Sequence, residues 1–127
     1  MKKSILLGFI LFSTLSCKAQ IIPIESKKNY IGTGISLPDN VTYIKDVNNI
    51  LDRYVGIWKG DYDGKNYQLI ITKYINTYNG IMEDCLLMRY LITGVNGAII
   101  EDTRILSDNS PYVVESRYLQ NITFVLI

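Results

Sequence analysis

Past Tyr54 the side chains alternate between oily and wet with a period of two. Asx-Gly pairs break that rhythm at intervals, which commits the stretch to antiparallel strands joined by tight turns. Tyr54, Trp58 and Tyr62 fall on one side of the first strand, with Gly56 and Gly60 between them. Asp63-Gly64 then supplies a turn, because glycine accepts the positive φ that a two-residue hairpin demands. The return strand runs from Tyr67 to Tyr74, with Leu69 and Ile71 facing one way and Gln68 and Thr72 the other. Asn79-Gly80 turns the chain again. In the third strand, Asp84 to Thr93, the side chains of Leu86, Met88, Tyr90 and Ile92 are set against those of Cys85, Leu87, Arg89 and Leu91. Asn96-Gly97 precedes Ala98 to Leu106, a turn over Asp108 to Pro111 precedes Tyr112 to Leu119, and Ile122 to Ile127 ends the series. The pattern predicts an all-β fold built as an antiparallel up-and-down meander.

Just ahead of the first strand, Asp46 is placed to cap a short helix whose apolar residues Val47, Ile50 and Leu51 share one face. Gly56 and Gly60 leave room for a strand to bend, so the expected meander curls into a partial or small barrel. Gly56-Ile57-Trp58, following a short helix, resembles the lipocalin and wider calycin signature. That resemblance implies a tryptophan packed across the closed end of a barrel, with ligands entering at the other. The plainer reading of Trp58 is a core residue of a strand.

The N-terminus carries an address. Lys2-Lys3, the apolar run Ile5 to Leu15 and Ser16 precede Cys17, the order of an export signal of the bacterial lipoprotein type. The run is little more than half of the ~20 residues a membrane-spanning helix needs. Cleavage before Cys17 frees its thiol for acylation, and two acyl chains anchor far more firmly than one. Thr14 departs from the usual pattern, where leucine is commoner; the rival is cleavage after Cys17-Lys18-Ala19, which releases a chain starting at Gln20. The expected organisation is a signal peptide over 1–16, a lipidated cysteine and flexible tether over 17–42, and an antiparallel β domain over 43–127. Pro23, Lys27-Lys28-Asn29, Gly32, Gly34 and Pro38 punctuate the tether, which shows neither period.

A longer stretch, Tyr43-Ile44-Lys45-Asp46-Val47-Asn48-Asn49 through Gly56-Ile57-Trp58-Lys59-Gly60 to Leu69-Ile70-Ile71-Thr72-Lys73, resembles an uncharacterised family of small Bacteroidota lipoproteins. The likeness runs from Ile35 to about Thr103 and includes Leu37-Pro38 in the tether. It implies a lipid anchor on the periplasmic face of a bacterial membrane, the outer membrane being the expected one, but no activity. No acidic run after Cys17 resembles a surface-export tag. Members usually continue through further strands, whereas this chain ends in Ile122-Thr123-Phe124-Val125-Leu126-Ile127, so either the last strand is unusually greasy or the domain is truncated.

Loss of Lys2 and Lys3 with the signal takes the formal charge from +1 to −1, too near neutral for nucleic-acid binding by bulk electrostatics. Catalytic chemistry is hard to find. The chain has no histidine, the commonest general base and metal ligand. Asp61 and Asp63 flank a turn but lack the remaining oxygens of a calcium loop, and Glu83-Asp84 and Glu101-Asp102 are neighbours that point opposite ways along a strand. Gly32-Thr33-Gly34 has no strand and helix around it to make a phosphate loop. Cys85 reads as a small buried hydrophobe. No enzyme, metal or cofactor is expected.

The ten tyrosines suit both packing within a sheet and a binding surface. If a ligand exists, Trp58, Tyr62, Tyr67, Tyr90 and Arg89 are the binding residues to test, with Tyr74 beside them; Arg89 and Arg104 also read as outward-facing strand residues. Two functions follow. One is a membrane-anchored barrel holding a small apolar molecule; the other is an envelope interaction or inhibitor-like module without a cavity, pairing with a protein by sheet addition.

Overall fold

The structure, a computed structural model, describes residues 18–116. The signal segment, Cys17 and the terminal run Ile122 to Ile127 lie outside the described residues. Seven strands form one sheet: β1 (Gln20–Pro23), β2 (Val41–Lys45), β3 (Gly56–Tyr62), β4 (Lys65–Tyr78), β5 (Ile81–Gly94), β6 (Ile99–Asp102) and β7 (Val114–Glu115).

Local turn chemistry sets the centre of this sheet. Asp63 and Gly64, at φ 48° and 68°, join β3 to β4, and Asn79 and Gly80, at 49° and 76°, join β4 to β5. Two successive positive φ values define the turn whose twist matches antiparallel strands. β4 and β5 then pair without interruption from Lys65↔Gly94 to Tyr78↔Ile81. Along its other edge β5 takes three partners end to end: β2 at Met82 and Glu83, β7 at Leu87 and Met88, and β6 at Leu91 to Thr93.

The expected curled barrel does not form. The main path runs β1-β2-β5-β4-β3, and its ends, β1 and β3, do not pair. Closure needs the first and last strands of a sheet to meet. Here the N-terminal segment enters parallel instead: β1 pairs β2 and β2 pairs β5 in parallel registers, so the sheet is mixed rather than a pure up-and-down meander. Among the described residues no calycin-like interior exists, and Trp58 lies half-exposed on an edge strand instead of across a barrel floor.

Residues 20–29, inside the stretch read as a tether, form β1 and a 3₁₀ helix over Ile24–Asn29. Ile22 and Ile24 join Val41, Ile44, Leu51, Ile71 and Leu86 in the main core. The short helix ahead of β3 is a single 3₁₀ turn, Asp52–Tyr54. Residues 47–51 turn instead of winding, because the buried Asp46 carboxylate accepts the backbone N–H of Ile50 at 2.8 Å and of Leu51 at 3.0 Å. Those are the donors four and five residues on, beyond the reach of an ordinary helix cap. The resulting loop drops Leu51, fully buried, onto the sheet, while Val47 stays exposed.

Candidate functional site

Pairing fixes which side chains share a face. Leu69 lies opposite Trp58 on one side and Tyr90 on the other; Tyr67 lies opposite Gly60 and Ile92; Ile71 lies opposite Gly56 and Met88. One face therefore carries Trp58, Tyr62, Tyr67, Leu69 and Tyr90 in a continuous patch. Tyr54, Trp58, Gly60, Tyr62, Tyr67 and Leu69 line an open, mostly apolar trough there, ending at the buried Ile71. At that end the trough meets the main core, against which Tyr54 packs. The Trp58 indole N–H donates to the Tyr54 carbonyl at 2.8 Å, tying the exposed ring to a residue mounted on the core.

β3 is the outermost strand on this side. Ile57 is 61% exposed, Trp58 50% and Tyr62 57%. The two-residue turn makes Tyr62 and Lys65 the first hydrogen-bonded pair of the hairpin. Alternation then directs the backbone groups of Tyr62, Gly60, Trp58 and Gly56 toward β4, and those of Asp61, Lys59 and Ile57 outward, with no strand beyond them among the described residues. A sheet edge with apolar and aromatic side chains beside bare N–H and C=O groups is a template for another strand.

The residues read from sequence divide between the two faces. Trp58, Tyr62 and Tyr67 come together, and Tyr90 adjoins them with its hydroxyl donating to Glu101 Oε1 at 2.8 Å, which raises the tyrosine's pKa. Arg89 and Tyr74 project from the opposite face. Arg89 is engaged there by the Leu106 carbonyl at 3.1 Å and by the Asp108 carboxylate. Arg104 pairs with Asp102 outside the patch, an ion pair that pulls the carboxyl down to about 2. Sequence reasoning missed Ile57, Lys59 and Asp61 as surface-defining residues; their outward backbone follows from β3 being an edge, which no local pattern encodes.

Other polar groups serve the scaffold. Asp84 accepts the Tyr43 hydroxyl at 2.5 Å and the Asp46 backbone N–H at 2.8 Å, locking β2 to β5 and pushing the phenol up to about 12. Burial, then the carboxylates of Glu115 and Glu83, push the Cys85 thiol up to about 12. A thiol held protonated is a poor nucleophile. Among the described residues no three acidic or cysteine side chains gather as a metal site, and no helix is long and apolar enough to cross a membrane.

Nothing among curated proteins or solved structures matches the chain. A family profile does match, over residues 1–126, so the chain belongs to the Family of unknown function (DUF6705).

Proposed function

We propose that this protein is a non-catalytic interaction module of the cell envelope, held to a membrane through acylated Cys17, that takes a protein strand onto the free edge of β3. One observation carries the reading: an outer strand with exposed Ile57, Trp58 and Tyr62 and three alternate outward-directed backbone positions, Ile57, Lys59 and Asp61. Strand addition draws affinity from main-chain hydrogen bonds and specificity from the side chains alongside. The trough supplies those side chains: a docked strand lays alternate residues beside Trp58 and Tyr62. The address rests on the Lys2-Lys3 to Cys17 signal and the likeness to Bacteroidota lipoproteins.

Lys59→Pro tests the edge. It removes an N–H that points away from β4, which an edge strand tolerates. A photo-activated cross-linker at position 57 is expected to capture a protein chain in the otherwise wild-type molecule and to lose that product when Lys59→Pro is added. Equal capture in both, with circular dichroism showing the fold intact, counts against strand addition. Separately, Cys17→Ala is expected to move the protein from the membrane fraction to the soluble one; unchanged membrane association rules out the acyl anchor.

A further inference from the structure

The edge of β3 is complementary to itself. Its sequence is Gly56-Ile57-Trp58-Lys59-Gly60-Asp61-Tyr62. When two copies of this strand run antiparallel about a two-fold axis at Gly60, Lys59 of each faces Asp61 of the other and Trp58 of each faces Tyr62 of the other. Register is not free. Moving the axis to residue 59 sets two lysines opposite each other, and moving it to residue 61 sets two aspartates opposite each other, both unfavourable across a strand pair. Hydrogen-bonding parity agrees. Lys59 and Asp61 are the positions with outward backbone groups, so in the Gly60-centred register they form the hydrogen-bonded pairs and the glycines a non-hydrogen-bonded one.

Two further observations fit. Lys59 and Asp61 make no ion pair or side-chain hydrogen bond among the described residues, and their partners across the hairpin, Gln68 and Asn66, are uncharged. Gly60 is not required by its own chain: its φ is not positive, and a Cβ there meets nothing within 4 Å. Glycine inside a strand often marks close approach of another backbone. Two bare Cα atoms at the axis leave the centre open to Trp58 and Tyr62 from both copies.

We infer that the partner is a second copy of this chain, paired through β3 in the antiparallel Gly60-centred register, so that the two sheets join into one. The inference rests on the proposed edge-docking function and names its occupant. It is tested with the exported chain by sedimentation equilibrium up to ~1 mM, the weak end of specific association. The wild type is expected to dimerise. Lys59→Asp and Asp61→Lys alone each place like charges opposite one another twice, and each is expected to weaken the dimer by about tenfold or more. Mixed in equal amounts, the two variants regain both opposite-charge pairs and are expected to form a heterodimer, and the double swap in one chain to restore the homodimer. A monomeric wild type, single variants that dimerise as tightly as the wild type, or a mixture that stays monomeric overturns the inference. The cross-linker at position 57 separates this failure from that of the broader reading. Its expected product is the second copy, at or near the copy's Asp63. Capture of a different protein, or of residues 117–127 of the same chain, overturns self-pairing; in the first case edge docking stands, and in the second, or with no product, it falls as well.

Discussion

Individual side chains account for features that alternation alone cannot. Asp46 converts an expected helix into a loop because its carboxylate holds two backbone donors that no helix cap reaches. Asp46→Ala strips both N–H groups of their acceptor, and the expected loss is about 2–3 kcal/mol, read from urea unfolding. Asp46→Asn, with one acceptor oxygen, falls between. Cys85 behaves as the sequence suggested in being buried, but its thiol also shapes the response to alkali. Its ordinary value is 9.0 and that of Tyr43 is 10.0; both are held to about 12 in the folded chain. Folded protein therefore keeps protons that unfolded protein releases. This contribution is complete below pH 9 and is lost as the pH rises toward about 12. Stability is expected to decline across that window, and Cys85→Ala to flatten the decline from pH 9. A thiol reagent at pH 8 is expected to label Cys85 only after denaturant is added.

Elements divide by how local their causes are. β3, β4 and β5 were legible because Asp63-Gly64 and Asn79-Gly80 carry their geometry in two residues, and the assignment of Leu86, Met88, Tyr90 and Ile92 to one face follows from parity. Gly80 needs its positive φ of 76°, so Gly80→Ala is expected to cost about 1 kcal/mol, whereas Gly60→Ala, with no such φ and open space around it, is expected to leave monomer stability nearly unchanged. Thermal melts of the two variants side by side check the contrast. β1 and β2 were not legible. They are four and five residues long, and their parallel pairing joins residues distant in sequence, so nothing in Gln20 to Pro23 distinguishes a strand from a tether. Open edges were equally hidden: the trough residues Trp58, Tyr62 and Tyr67 were named from composition and alternation, but their solvent-facing state depends on where β1 ends up.

Taken as one body, the domain is held together by its N-terminal segment as much as by the hairpins. Ile22 and Ile24 sit in the same buried cluster as Leu51, Ile71 and Leu86. Ile22→Ala is therefore expected to destabilise the whole sheet by about 3 kcal/mol in a single cooperative transition, measured by calorimetry; a variant with wild-type stability would make β1 a mere appendage. The one flank of β5 that receives β2, β7 and β6 in turn has a kinetic consequence. Its outermost contributors stand at residues 41–45 and 114–115, so a polypeptide emerging amino end first has β2 and β6 available on that flank before β7, the last strand, fills the gap between them. Long-range joining of that sort is slow. Until the two residues of β7 arrive, the middle of that flank leaves the backbone groups of Leu87 and Met88 without their strand partner, so the sheet is sealed from its ends inward rather than hairpin by hairpin.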